Sequence, residues 1–377
     1  MERLLRIATC LAQCGYGVQV GALAAAARAL RADAQLWAAH ARHCGPRGRT
    51  RLMFASGTGD IPRMAFLLER GADARAAEPE SGQTALHIAC ITGRCAAARL
   101  LLERGGADAN AALASGATGL MLASASDHLD VVRLLLAHGG VRADAHDAEG
   151  MTALMYASRS GHLETARCLV WGGASVSAAR PQDSVTALMC ASQEGHLDTV
   201  RLLAGGAGAG TVNARRSTDG VTALMLACNN NRRDTAAWLV EHGGAAVNAA
   251  CASDGTTALT LASSSGHLET VRYLAGRGGA SVNAALTDGT SALMLAAQGG
   301  HVETVRCLLE RGASIDAGGG ANGFTALMLA SIMPHIDVVR LLLQQGADKS
   351  VRCLHGHTAL EYAAEAGNPQ VQAVLLA

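Results

Sequence analysis

Two clusters of histidine and cysteine residues are the first candidates for chemistry in this sequence. Their members are Cys353, His355 and His357 in one cluster, and His40, His43 and Cys44 in the other. Imidazole and thiolate are the usual zinc ligands, and a structural zinc site takes four of them. The first cluster lies in a short loop, where such residues are more often simply exposed, and the second lacks a fourth ligand. We therefore predict no metal site and no cofactor.

Signatures of the common enzyme classes are missing from the sequence. It contains no phosphate loop, no Gly-x-Ser-x-Gly elbow and no His-Glu-x-x-His pair. The glycine-rich run at 205–210 lacks the spacing of a dinucleotide loop. Arginines at 133, 167, 201, 272, 306 and 340 each follow an acidic residue three positions earlier, which is typical of a solvated helix face. We predict that the protein is not an enzyme and has no catalytic residues.

The charge of the chain is balanced, with 31 lysine plus arginine residues against 31 aspartate plus glutamate residues. Such a chain has no long-range field to attract a phosphate backbone or anionic lipid, so neither nucleic acid nor a membrane is an expected partner. The eleven cysteines include no Cys-x-x-Cys pair, which argues against a disulfide framework. No leader and no apolar run long enough for a membrane span is expected, so the predicted location is the cytoplasm or the nucleus.

A motif of the form Thr-Ala-Leu-Met recurs about every 34 residues, a period that indicates stacked helix pairs around a shared core. Exact copies begin at Thr152, Thr186, Thr222 and Thr325, and looser copies begin at Thr50, Thr84, Thr118, Thr257, Ser291 and Thr358. Units of this kind contact only their neighbours. We predict a helical N-terminal segment over residues 1–48 and an array of ten repeats over residues 49–377.

Each repeat has the pattern of two short helices followed by a finger. The threonine hydroxyl can accept a hydrogen bond from an orphan amide, so the first helix is expected to begin there. Gly-His pairs, such as those at 266–267 and 300–301, end that helix because glycine adopts the left-handed conformation. A second amphipathic helix follows, most clearly at 301–309. Asp-Gly or Asn-Gly before the next threonine predicts a tight hairpin.

Helix, turn, helix and finger at this period resemble the ankyrin repeat, which carries Thr-Pro-Leu-His where this chain has Thr-Ala-Leu-Met. The resemblance implies an all-α fold: an ankyrin-repeat solenoid of helix-turn-helix units with projecting β-hairpin fingers, preceded by a short helical segment. It also implies a non-enzymatic, monomeric scaffold that binds other proteins. The family histidine remains only as His87, and methionine elsewhere predicts apolar packing in place of an imidazole link between fingers.

Residues 1–48 lack the repeat pattern and leave two interpretations open. They can cap the apolar side of the first repeat, since a solenoid needs an end cover. Their leucine spacing, closed by a Leu-Trp pair, also resembles an F-box, whose family docks on the adaptor subunit of cullin-type ubiquitin ligases. That resemblance implies adaptor contacts by Leu4, Leu5, Leu11 and Trp37. The alternative function is then substrate recognition for such a ligase.

Partners of ankyrin arrays usually contact the fingers and the exposed end of the first helix, so the resemblance selects two sets of residues. The finger set is Met151, Val185, Val221 and Phe324. The helix-end set is Arg159, Gln193, Glu194, Asn229, Asn230, Ser264, Gln298, Ile332 and Met333. Adjacent apolar finger residues predict a binding stripe, unless Met151, Val185 and Val221 pack finger against finger. Few aromatic residues predict contacts spread over many repeats.

Overall fold

The computed structural model of the protein describes residues 48–205 and 210–377. Contacts divide the chain into two compact units, Met1–Ala148 and Glu149–Ala377. The predicted N-terminal helices, the residues Leu4, Leu5, Leu11 and Trp37, and the centre of the glycine-rich run lie outside the described residues. No helix within the described ranges is long and apolar enough to cross a lipid bilayer.

The described part of the first unit consists of three helix pairs. They are α1 (Arg51–Thr58) with α2 (Ile61–Glu69), α3 (Ala85–Ile91) with α4 (Cys95–Glu103), and α5 (Gly119–Ala125) with α6 (Leu129–Ala137). Within this unit, α1, α3 and α5 pack side by side, as do α2, α4 and α6.

The second unit repeats the same plan seven times in its described residues. Its first helices are α7 (Ala153–Ser160), α9 (Ala187–Glu194), α11 (Ala223–Asn229), α13 (Ala258–Ser264), α15 (Ala292–Gln298), α17 (Ala326–Ile332) and α19 (Ala359–Glu365). Its second helices are α8 (Leu163–Trp171), α10 (Leu197–Ala204), α12 (Arg233–Glu241), α14 (Leu268–Ala275), α16 (Val302–Glu310), α18 (Ile336–Gln344) and α20 (Pro369–Leu376).

The recurring threonine begins the first helix of each described pair. Thr222 is typical: it has an extended backbone, and its hydroxyl accepts a hydrogen bond from the Met225 amide at 3.4 Å. Ser291 does the same for α15. In several repeats the sulfur of the methionine three positions later accepts in turn from the amide of the capping residue, as Met328 does from Thr325 at 3.5 Å. The expected helix starts are thus confirmed, with a thioether completing the cap.

The histidines that begin several second helices do more than follow a turn. Each is the N-terminal capping residue of its helix, and its ring contacts a carbonyl of the previous repeat. His267 Nε2 lies 2.8 Å from the Asn229 carbonyl oxygen, and His301 Nε2 lies 3.0 Å from that of Ser264. In the first unit His128 makes the same contact with the Ile91 carbonyl at 2.9 Å. The ring thereby ties the end of one first helix to the start of the next second helix.

A recurring asparagine joins successive repeats on the side of the fingers. Asn248 donates to the Gly279 carbonyl at 3.2 Å and accepts from the Ser281 amide at 2.8 Å. Asn110, Asn213 and Asn283 make the equivalent pair of bonds. We call these four residues the clasp asparagines.

The fingers are turns that carry little regular strand. Single antiparallel bridges close five of them in the described ranges, at Ala77–Thr84, Ala112–Thr118, Ala179–Thr186, Ala285–Ser291 and Gly319–Phe324. His87 is the one family histidine retained at its position, and its Nε2 lies 2.9 Å from the Ala111 carbonyl of the next finger. Burial lowers the pKa of His87, so its ring is neutral. In several repeats the methionine keeps the local capping contact, and Met225 also contacts the next finger, with its sulfur 3.8 Å from Cys251 Sγ.

Candidate interaction surface

In most repeats the first helix exposes one apolar residue, four positions after the capping residue. In α11 the residues one, two, three, five and six positions after Thr222 are buried. Leu226, at the fourth position, is therefore left on the outer side of the helix and is half-buried. Helical spacing puts positions seven and eight on this same side. The packing thus defines one outward strip on every first helix.

The fourth-position residues form what we call the apolar row. Its members are Phe54, Ile88 and Leu122 in the first unit, and Tyr156, Cys190, Leu226, Leu261, Leu295, Leu329 and Tyr362 in the second. Phe54 is 52% exposed and Cys190 is the most buried, at 8%. None of the residues in this row was among the predicted partner contacts. Its signal was available, because an apolar residue recurs at the same distance from every capping residue.

In the first unit the apolar row opens into a cleft of about 270 Å³ between α1 and α3. Phe54 and Gly57 line it from α1, and Ile88 and Ile91 line it from α3. Phe54 and Ile91 are exposed large apolar side chains, at 52% and 37%. A concave apolar site of this size suits one bulky side chain of a partner.

The predicted helix-end residues have exposed side chains on a fixed backbone. Arg159, Gln193, Asn229, Ser264 and Gln298 are all exposed. Their carbonyl groups accept hydrogen bonds from the residue that caps the second helix of the next repeat. That residue is a histidine in four cases and Arg232 in the case of Gln193. The structure brings these five side chains to the same side as the apolar row.

The remaining helix-end residues are held more tightly. Glu194 accepts from the Gln193 side-chain amide at 3.2 Å and lies 3.9 Å from Arg232. Asn230 is half-buried and donates from its side chain to the Leu226 carbonyl at 2.9 Å. Ile332 is half-buried, whereas Met333 is 42% exposed.

The finger set divides into one buried residue and three half-buried ones. The expectation that Met151 lies on the surface is wrong, because Met151 is only 2% exposed and its sulfur lies 3.8 Å from the Arg180 guanidinium. Val185 and Val221 are half-buried. Phe324 is also half-buried and stands edge-on to Tyr362, with 5.1 Å between ring centroids. The fingers therefore offer a thinner apolar stripe than the first helices do.

Two neighbouring fingers carry arginine–aspartate pairs. Arg180 Nε donates to Asp183 Oδ1 at 2.9 Å, and Arg216 Nε donates to Asp219 Oδ1 at 2.8 Å. The bond from Arg180 holds the pKa of Asp183 below its ordinary value, and Arg216 does the same for Asp219. The Ser217 amide of the second finger donates to the Asp183 carbonyl at 2.8 Å, so the two fingers are linked.

The cysteine–histidine cluster near the C-terminus turns its side chains to separate partners. Cys353 Sγ lies 3.1 Å from the Tyr362 hydroxyl, His355 Nε2 lies 3.0 Å from Asn322 Oδ1, and His357 Nδ1 lies 3.2 Å from Glu365. Within 48–205 and 210–377, no three histidine, cysteine or acidic side chains form a group that could hold a metal ion. His40, His43 and Cys44 lie outside the described residues.

Capped helix pairs linked by histidine rings and clasp asparagines define a repeat protein in which each unit contacts its neighbours. A family model of ankyrin repeats, three copies long, matches residues 21–112, 105–180, 188–285, 278–353 and 322–377. These matches span most of the chain, and the chain belongs to the ankyrin repeat family. No curated protein matches it. Ankyrin repeats are generally protein–protein interaction modules and are typically non-enzymatic.

Proposed function

We propose that the protein is a scaffold that binds a protein partner along the outward strip of its first helices and its fingers. The apolar row carries this proposal, because a half-exposed apolar side chain recurs at one position in repeat after repeat. Single exposed apolar residues are ordinary on a protein surface, whereas an aligned series of them marks an interaction site. The proposed location remains the cytoplasm or the nucleus.

The fixed backbone at the helix ends supports this choice of surface. Binding costs free energy whenever it immobilises flexible groups. The carbonyls of Arg159, Asn229 and Ser264 are already held by histidine rings, so only their side chains must be ordered by a partner. The polar helix ends then flank the apolar row, as a polar rim flanks the centre of an interface.

The energy of binding is expected to be spread over many repeats, with one stronger point. Leucine contributes less than tryptophan, tyrosine or arginine at most interfaces, and leucine dominates the apolar row. Phe54, with Ile91 beside it in the cleft between α1 and α3, is the best anchor in the first unit. The partner segment that fits this surface presents spaced apolar side chains among polar ones.

The alternative function, substrate recognition for a cullin-type ubiquitin ligase, depends on residues 1–48. The ankyrin match begins at residue 21 and so includes Trp37. That overlap favours the interpretation of this segment as part of the repeat array or as its cap. Adaptor contact by Leu4, Leu5 and Leu11 stays a prediction from sequence.

Affinity purification with mass spectrometry tests the surface. The full chain is compared with a variant carrying Leu226→Ser and Leu261→Ser in the apolar row. The matched control is Leu376→Ser, which changes a 70% exposed leucine at the end of α20, outside the row and the fingers. We expect the row variant to lose partners that the control retains, with unchanged helical circular dichroism in both. Equal recovery of partners by all three chains would contradict the proposal.

A truncation that begins at Gly48 tests the alternative in the same experiment. Loss of a ubiquitin-ligase adaptor on truncation, with other partners retained, would establish the ligase function. Absence of an adaptor from both samples would contradict the ligase function and leave the scaffold function.

A further inference from the structure

A second surface feature lies on the other helices of the second unit. A pocket of about 340 Å³ lies among α12, α14, α16 and the turns that follow α14 and α16. Its lining includes Arg233, Arg272, Arg277, Arg311, Glu269 and Tyr273. Four arginines and one acidic residue therefore line the pocket, although the chain as a whole carries no net charge.

Arg311 lacks the acidic partner that the equivalent arginine of the first unit has. In the first unit Arg104, at the same position, pairs with Glu69 of the previous repeat at 3.4 Å. For Arg311 the equivalent residue of the previous repeat is Gly276, directly after α14. A Cβ atom at Gly276 would lie 2.4 Å from a terminal nitrogen of Arg311, so the guanidinium occupies the space that a side chain would take. Arg311 donates only to the Ala275 carbonyl, at 3.4 Å, among the described residues.

Two further arginines add charge at the same place. Arg233 is the first residue of α12, whereas the equivalent residues Leu197, Leu268 and Val302 are apolar. Arg277 has no ion pair within the described ranges, although Glu241 of the previous repeat is near enough to help raise the pKa of Tyr273. Arg233, Arg277 and Arg311 thus meet in one pocket.

The acidic groups near the pocket neutralise only part of this charge. Glu269 pairs with Arg272 at 2.7 Å, and Asp234 pairs with Arg233 at 2.9 Å. Arg277 and Arg311 remain without carboxylate partners among the described residues. Burial raises the pKa of Tyr273 to about 12, so its hydroxyl keeps its proton, which it donates to the Ala237 carbonyl at 3.3 Å.

We propose that this pocket binds the phosphate group of a phosphorylated serine or threonine side chain on a protein partner. The planar fork of an arginine matches the oxygens of a phosphate dianion and donates two parallel bonds to it. The volume lies at the low end for ligand sites, which suits one modified side chain rather than a nucleotide. The pocket lies on second helices and the apolar row on first helices. A failed test of one proposal therefore leaves the other unaffected.

Titration of the full chain tests the site, with ³¹P NMR line broadening and isothermal calorimetry as readouts. The probes are N-acetyl-phosphoserine N-methylamide, its unphosphorylated form, and inorganic phosphate. We expect the capped phosphoserine to bind with a dissociation constant in the roughly millimolar range, more tightly than inorganic phosphate, and the unphosphorylated form not to bind.

Two variants of equal size isolate the charge. Gly276→Glu restores the carboxylate that Glu69 supplies in the first unit, and we expect at least about tenfold weaker binding of the capped phosphoserine. Gly276→Gln introduces the same bulk without the charge and is expected to bind at least about threefold more tightly than Gly276→Glu. Arg311→Gln should weaken binding, whereas Arg104→Gln, in the paired position of the first unit, should not.

Four results would overturn the proposal. The first is the absence of binding by the capped phosphoserine. The second is equal affinity for Gly276→Glu and Gly276→Gln, and the third is a loss in Arg104→Gln as large as that in Arg311→Gln. The fourth is inorganic phosphate binding as tightly as the capped phosphoserine, which would make this a site for the free ion.

Discussion

At the scale of single residues, an arginine–aspartate pair stabilises the finger at 180–183. Arg180 and Asp183 lie three positions apart in one finger, and their side chains are only 27% and 15% exposed. The Val185 amide also donates to Asp183 Oδ1, at 3.2 Å. The Asp183 carboxylate therefore accepts from Arg180, which covers Met151, and from the backbone just before the capping residue Thr186.

The Asp183→Asn variant should show a stability loss that depends on pH. Because Arg180 lowers the pKa of Asp183 in the folded chain, the carboxylate stabilises the fold above its unfolded pKa of about 3.9. That contribution is lost as the pH falls through the lower folded pKa. Urea unfolding at several pH values should show wild type above the variant near pH 7 and a shrinking difference below about pH 4.

Asp198→Asn serves as the control for this prediction. Asp198 pairs with Arg201 on an exposed helix face, where ion pairs contribute little. A difference between wild type and Asp183→Asn that stays constant from pH 7 to pH 3 would rule out the assigned role of the carboxylate.

Residue-level predictions from the sequence succeeded where the cause was local. A threonine hydroxyl caps the amide three positions later, so its role follows from nearby residues, as at Thr222. Met151 failed because the residue that covers it, Arg180, lies 29 positions further along the chain. The histidine rings and the pocket around Arg311 were missed for the same reason: their partners belong to another repeat.

At the scale of elements, the helix pairs are joined through the ends of their first helices. Gly266 has a φ of +69° and lies against the His301 ring, and a Cβ there would come within 2.4 Å of ring Nδ1. The glycine therefore provides both the left-handed turn and the room for the histidine that bonds to Ser264. The Gly-His pattern in the sequence predicts this turn. The room that Gly266 leaves for the His301 ring is visible only in the packed structure.

Gly266→Ala should destabilise the protein more than Gly279→Ala. Both glycines have a positive φ, +69° and +71°, so both substitutions introduce backbone strain of about 1 kcal/mol. A Cβ at Gly279 meets no atom within 4 Å, whereas one at Gly266 displaces His301. We expect an additional loss of about 1 kcal/mol for Gly266→Ala in chemical denaturation. Equal losses would show that the histidine bond adds no stability.

At the scale of the whole molecule, each unit is a series of neighbour contacts. In the second unit, α11 packs against α9, α13 and its own partner α12. A defect in one repeat is therefore felt first by the repeats beside it. The sequence period predicted this series, and the family match confirms it. The surface was harder to predict, because exposure depends on how neighbouring repeats cover each position.

Leu224→Ala should reduce stability and Leu226→Ala should reduce partner binding, although both change the same helix. Leu224 is 2% exposed, so its truncation should cost about 2–5 kcal/mol. Hydrogen exchange should then accelerate in α9, α11 and α13 before it does in α17. Leu226 belongs to the apolar row, and its truncation should leave exchange nearly unchanged while weakening a bound partner. Uniform acceleration across the second unit by Leu224→Ala would contradict this view.

The clasp asparagines have a consequence for how such a chain can change over time. Asn248 bonds only to backbone atoms of the next repeat, the Gly279 carbonyl and the Ser281 amide. These two hydrogen bonds therefore do not depend on which side chains the next repeat carries. Substitutions in the apolar row or at the helix ends can alter what the surface recognises while this joint stays the same. A duplicate of a repeat that carries a clasp asparagine would bring its own joint, and new specificity could arise by copying whole units.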